Sequence, residues 1–284
     1  MMRELPKDLG SQVQAAIRED VGTGDVTAGL VPQNQVAHGR VITREAGVMS
    51  GRPWVEEVFR QVDPGVRLRW HADDGERINP QQTLFDVEGN ARSILTGERC
   101  ALNFLQLLSA VATESRRYVD AVAGTGCTIL DTRKTLPGLR TAQKYAVLCG
   151  GASNLRMGLF DMVLIKENHI VAAGSLTRAV ESARRHVPEL KVEVEVETMT
   201  QLAEGIAAKP DIIMLDNFNL AEMRNAVAFN KEHGHRAKLE ASGNVTLETV
   251  REIAQTGVDF ISIGGLTKHV RAVDLSMRLE FKGA

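Results

Sequence analysis

Six short apolar runs follow one another between residues 127 and 265: CTILDTRK, DMVLIKENH, KVEVEVE, DIIMLDNF, KLEASGN and DFISIGG. Several begin 20 to 30 residues apart, with amphipathic segments such as SLTRAVESARRHV, TMTQLAEGIAAK and TLETVREIAQTG between them. Repeated strand-helix units have this spacing, so the pattern predicts a parallel α/β sheet, closed or nearly closed into a barrel. Almost every run is apolar at its start and ends in charged residues, Ser, Asn or Gly. Barrel enzymes build their active sites at the carboxyl ends of the strands, which is where those polar residues would gather.

The run KVEVEVE sharpens this expectation. Its period-two alternation puts Val192, Val194 and Val196 on one face and Glu193, Glu195 and Glu197 on the other. Neighbouring carboxylates on one face stand about 7 Å apart and repel by roughly 2 kcal/mol at an effective dielectric of about 20, so the acidic face needs water or cations. A solvated antiparallel strand would satisfy that requirement. Within a barrel the valines face the outer helices, Glu195 and Glu197 point into the mouth, and Glu193 lies one layer deeper.

The first hundred residues read differently. HGRVITREAGVMSG and VRLRWHADDGERINPQQTLFDVEG carry alternating runs broken by Asp-Gly, Asn-Pro and Gly, as small antiparallel sheets do. From Thr96 to Gly124 a helix is expected, with Thr96 as N-cap and an apolar surface that nearly encircles it between Ala101 and Ala112. The tail VRAVDLSMRLE alternates again and is expected to return as a strand to the amino-terminal domain. The expected division is a sandwich domain over residues 1–106 joined by a strand within 270–284, and a barrel over 107–269.

Net charge is −2 in 284 residues, without basic bias, which argues against a nucleic-acid partner. No stretch approaches the length of a membrane span, and the charged amino terminus lacks the apolar segment of a secretory signal, so a cytoplasmic protein is expected. Cys100, Cys127 and Cys149 are odd in number and widely spaced, which fits reduced thiols rather than a disulfide framework or a zinc site.

The candidate chemistry lies at the run ends. DTRKTLPGLR supplies Arg133 and Lys134, and NLRMGLFDMVLIKENH adds Arg156 and Lys166. Four cations at one barrel mouth would offset the glutamates and Asp216, and the surplus could bind an anion through arginine's bidentate hydrogen bonds. A structural ion-pair network is the competing reading, most evenly balanced at Arg156. EASGNVT and SIGGLT end the last two strands in small residues that let backbone N–H groups approach a ligand, where many barrels bind phosphate. A helix beginning near Thr246 would point its positive end at the same place. Glu195 and Asp216 are hard oxygen ligands of the kind that suits Mg²⁺.

These motifs, in one order nearly end to end, resemble quinolinate phosphoribosyltransferase: EDVGTGDVT, LTGERCALNFLQLLSAVAT, DTRKTLPGLR, QKYAV, LIKENH, EVEVE, LDNF, SGNV, GVDFISIGGLTKH and DLSMRL. The resemblance implies an amino-terminal α/β sandwich and an incomplete α/β barrel. It also implies a homodimer, or a higher oligomer built from it, in which the partner's small domain completes each active site. The implied reaction joins quinolinate to phosphoribosyl pyrophosphate with Mg²⁺ and releases pyrophosphate and CO₂, leaving nicotinate mononucleotide for NAD biosynthesis. Matched by position, Arg133, Arg156 and Lys166 would contact quinolinate, with Arg99 reaching over from the neighbouring subunit and Lys134 beside the same pocket. Glu195 and Asp216 match the carboxylates near the ribose and Mg²⁺. Ser242, Gly243, Asn244, Gly264 and Gly265 match the phosphate loops. The chain departs from the family at one position: the family usually reads Asn-His-Arg, and here Asn154-Leu155-Arg156 replaces the histidine with leucine.

Three alternatives remain from the residues themselves. A transferase acting on nicotinate would need to bind a single carboxylate, and the cluster of Arg99, Arg133 and Arg156 argues for two. A Schiff-base lyase would use Lys166 or Lys134 on the same barrel. A phosphate-binding protein without catalysis is suggested only by Leu155.

Overall fold

The computed structural model describes residues 4–281, so the outermost ends of the expected domain segments, 1–3 and 282–284, lie outside the described residues. The chain forms two compact units. Of the described residues, the first comprises those up to 116, 135–151 and those from 265 onward, and the second 117–134 and 152–264.

In the first unit an antiparallel sheet runs in the order Leu275–Phe281, Val36–Thr43, Thr83–Asn90, Arg67–Trp70. The expected return of the chain's tail is met here: Leu275 to Phe281 pair with Thr43 to Ala37. Alternation selects the buried face, with Ala37, Val41, Phe85 and Val87 all at most 1% exposed. The long helix Ala91–Ala121 begins five residues before the expected start. Thr96 is therefore inside it rather than capping it, and its hydroxyl donates to Asp25 Oδ2 at 2.8 Å. Ala101, Leu102, Phe104, Leu105, Leu108, Val111 and Ala112 are buried, as the encircling apolar surface requires.

Residues 135–151, expected within the barrel domain, group with the first unit. The helix Arg140–Cys149 brings Tyr145 against Trp54 with ring centroids 5.2 Å apart, and the Tyr145 hydroxyl donates to Asp74 Oδ2 at 2.8 Å. Gln12 Nε2 donates to Thr141 Oγ1 at 2.6 Å, and Gln143 Nε2 to the Thr267 carbonyl at 2.7 Å. These contacts between residues distant in sequence decide the grouping.

The second unit is built on six parallel strands, one from each apolar run. Their order is Thr128–Leu130, Phe260–Ser262, Lys238–Ser242, Ile212–Asp216, Val192–Val196, Val163–Ile165. A parallel bridge from Leu130 to Ser153 extends the sheet past its first strand. Among the described residues no ladder joins that end to Val163–Ile165, so the barrel is incomplete. Three of the connecting helices start at side chains that cap them. Ser175 accepts from Arg178 N, Thr198 from Gln201 N, and Asn219 from the backbone N–H groups of Ala221 and Glu222. The helix expected near Thr246 instead starts at Val250 and is five residues long, because Thr246–Thr249 forms a turn closed by Thr249 N donating to the Thr246 carbonyl. So short a helix offers no anion site of its own.

Candidate active site

At the carboxyl ends of the six strands lies a cavity of about 330 Å³. Thr132, Arg133 and Lys134 follow the first strand, Lys166 follows Val163–Ile165, and Glu195, Asp216, Ser242 and Ser262 come from the ends of the others. Leu155 and Arg156 enter from the segment after the Ser153 bridge. Buried Asp131 holds that segment in place, its Oδ1 accepting from Leu155 N at 2.9 Å and its Oδ2 from Asn154 Nδ2 at 2.7 Å.

One side of the cavity is cationic. Arg133 Nε is buried without a hydrogen-bond partner, and burial together with the neighbouring Arg133 charge holds Arg156 below the usual arginine range. Two like charges brought this close in a partly dry pocket favour an anionic ligand. The opposite side is acidic. Lys166 Nζ pairs with Glu195 Oε2, while Asp216 is held above its ordinary value by burial and then by the Glu195 charge. Lys166 is steadied by a contact that sequence reasoning missed: its backbone N–H donates to His169 Nδ1 at 3.0 Å, and His169 N returns a bond to the Lys166 carbonyl at 2.8 Å. The spacing Lys-x-x-His at the mouth of a helix was the available signal.

The acidic strand behaves as expected at two of its three glutamates. Val192, Val194 and Val196 are fully buried on the outer face, Glu195 lines the cavity, and Glu193 lies deeper with no exposure. Glu197 does not point into the mouth. It lies past the strand's last residue, Val196, and is exposed, with its N–H bonded to Gln201 Oε1 at 2.8 Å, because the chain is already turning into the next helix. Sequence reasoning also missed Glu240, fully buried at the cavity floor beside Glu193. Burial, and for Glu193 also its neighbour Glu240, pushes both carboxyls above their ordinary range, which favours their protonated forms.

Of the expected phosphate-loop residues, Ser242 lines the cavity and Gly243 and Asn244 continue from it in an exposed turn. Gly264 lies against Lys134: a Cβ there would come 2.8 Å from Lys134 Cδ. Gly265 opens the short helix Gly265–Lys268, grouped with the first unit. Arg99 belongs to the first unit, is exposed and is not among the residues lining this cavity. Among the described residues no three His, Cys, Asp or Glu side chains form a metal cage. With Glu195 engaged by Lys166, the donor set at Glu195 and Asp216 fits only an ion carried chiefly by substrate oxygens and water, as Mg²⁺ usually is. The three cysteines form no disulfide, and no described helix is long and apolar enough to cross a membrane.

Residues 25–109 match the amino-terminal domain of quinolinate phosphoribosyl transferase, and residues 111–278 match its carboxyl-terminal domain. The probable nicotinate-nucleotide pyrophosphorylase [carboxylating] of Synechocystis is 42% identical over 269 residues, covering 94% of this chain and 91% of that one. The nicotinate-nucleotide pyrophosphorylase [carboxylating] of Mycobacterium leprae is 42% identical over 273 residues, covering 94% and 95%. The solved nicotinate-nucleotide pyrophosphorylase of Francisella tularensis superposes with a TM-score of 0.94 at 42% identity over 98% of both chains. With both domains matched and the cationic and acidic walls placed at one barrel mouth, this chain belongs to the quinolinate phosphoribosyltransferase family.

Proposed function

We propose that this chain transfers the phosphoribosyl group of phosphoribosyl pyrophosphate to the ring nitrogen of quinolinate, with loss of CO₂, giving nicotinate mononucleotide and pyrophosphate. The observation that carries this reading is the pairing of Arg133 and Arg156 on one wall of a cavity whose other wall holds Glu195 and Asp216. Two arginines answer two adjacent carboxylates and fix the ring nitrogen against the ribose C1. As pyrophosphate leaves, C1 becomes cationic, and Glu195 and Asp216 stabilise the charge that develops there. Lys134 and Lys166 hold the anions, and the backbone of Ser242, Gly243, Asn244, Gly264 and Gly265 cradles the 5′-phosphate. Glu195 and Asp216 would hold Mg²⁺, which would neutralise the charge of the pyrophosphate oxygens. Once the ring nitrogen is quaternary, the bond from C2 to its carboxylate breaks. The electron pair stays on C2 beside the positive nitrogen, and a proton replaces the departed CO₂. No protein nucleophile is required.

The same reading takes the working form as a cytoplasmic homodimer in which the partner supplies its Arg99 to each site. The deciding experiment mixes the protein with Mg²⁺, phosphoribosyl pyrophosphate and either quinolinate or nicotinate, and follows CO₂ and mononucleotide. Equal amounts of both products from quinolinate are expected. Nucleotide from nicotinate and none from quinolinate would refute the proposal.

A further inference from the structure

Asp216 ends the strand Ile212–Asp216 and is paired in register with Ser242 at the end of the neighbouring strand. The next residue, Asn217, makes three contacts, one to Asp216 on its own strand and two across to the neighbouring strand end. Its backbone N–H donates to the Ser242 carbonyl at 3.1 Å, and its Nδ2 donates to Asp216 Oδ2 at 2.9 Å. Its Oδ1 lies against the Gly243 backbone so closely that a Cβ on Gly243 would come within 2.3 Å of it. The geometry demands these residue types. Asn217 has φ 55°, a left-handed conformation that asparagine tolerates better than most side chains, and Gly243 has φ 108°. Two residues in sparsely populated backbone conformations face each other across the ends of two strands, although both are exposed to solvent. Core packing does not explain them, and strain of this kind gathers at functional sites.

We propose that Asn217 is a positioning residue that locks the Asp216 carboxylate to the Ser242–Gly243 turn, so that the carboxylate and the phosphate-binding backbone move as one piece. The proposal rests on the phosphoribosyl-transfer reading above, in which Asp216 faces the ribose and the turn faces its phosphate. Asn217 holds the spacing between those two elements by contacts at both ends. It touches no reacting atom. Without its amide, Asp216 is free to rotate toward Lys166 or solvent while the strands stay paired.

The test uses Asn217→Gly, which keeps the left-handed backbone and removes only the side chain, together with Gly243→Ala and the double variant. Asn217→Gly is expected to lower kcat by roughly tenfold, the scale of one hydrogen bond to a charged group, with quinolinate KM within about twofold and the melting temperature unchanged. Gly243→Ala drives its methyl into Asn217 Oδ1, so its penalty should shrink in the Asn217→Gly background, where that atom is gone. Wild-type kcat in Asn217→Gly, or penalties that multiply in the double variant, would overturn the proposal. Crystal structures of the unliganded wild type and Asn217→Gly supply an arm independent of turnover: the Asp216 carboxylate should leave its position in the variant, and an unmoved carboxylate refutes the lock. A wild-type chain inactive on quinolinate would sink the functional reading, and these structures would still decide the positioning claim.

Discussion

Glu193→Gln should change how stability depends on pH. Glu193 and Glu240 are both fully buried, and burial raises both carboxyls above their ordinary value of 4.5. Below that pH the folded and unfolded chains are both protonated at this pair and no penalty arises. Above it the unfolded chain releases protons that the folded chain keeps, so stability falls as pH rises, until the folded pair ionises. One retained proton costs 1.36 kcal/mol per pH unit, or about 3 kcal/mol between pH 5 and 7. With an unfolding entropy of about 2.1 cal/mol/K per residue over 284 residues, that corresponds to a fall in melting temperature of about 5 °C. Glutamine at 193 binds no proton, while Glu240 stays raised by its own burial. The variant's melting temperature should therefore fall less steeply than the wild type's over the same interval, so that its advantage grows from pH 5 to pH 7. Calorimetry at pH 5, 6 and 7 and constant ionic strength measures this. Parallel profiles for the two proteins would show that the buried pair holds no extra proton.

Other substitutions probe the cavity itself. Glu195→Gln should lower kcat by about a hundredfold while changing quinolinate KM less than about threefold, because its charge is used as the ribose becomes cationic, and steady-state kinetics will separate the two. Leu155→His should lower quinolinate KM by about two- to fivefold, more at pH 6 than at pH 8 because the imidazole is charged at the lower pH; an unchanged KM across that range would remove position 155 from the binding surface. His169→Asn keeps an acceptor for the Lys166 N–H and should retain most activity, whereas His169→Phe, which lacks one, should lose about tenfold in kcat. Mixed dimers of Arg99→Ala and Arg133→Ala subunits should regain one intact site, and heterodimers that form without activity would exclude a shared site.

Read alone, the sequence determined the order and type of the barrel's strands and the polar residues at their ends, though not every element boundary. Each apolar run became a parallel strand, and Ser175 and Thr198, which open two of the amphipathic segments, cap their helices by local hydrogen bonding. Polar residues at the run ends identified the chemical wall of the barrel, and motif order identified the family. Tertiary structure decided which distant segments meet. Residues 135–151 group with the first unit because Tyr145 finds Trp54 and Asp74 there, and no local pattern encodes that choice. Glu240 looked like one charge in an apolar run until the fold buried it near Glu193 from another strand, where burial raises both carboxyls. Glu197 alternated correctly in sequence and still missed the cavity, because the strand ended one residue earlier. Asn217 and His169 escaped notice for a related reason: His169 accepts from the Lys166 backbone and Asn217 meets the Ser242 and Gly243 backbone, and the positions of backbone groups are settled by the fold.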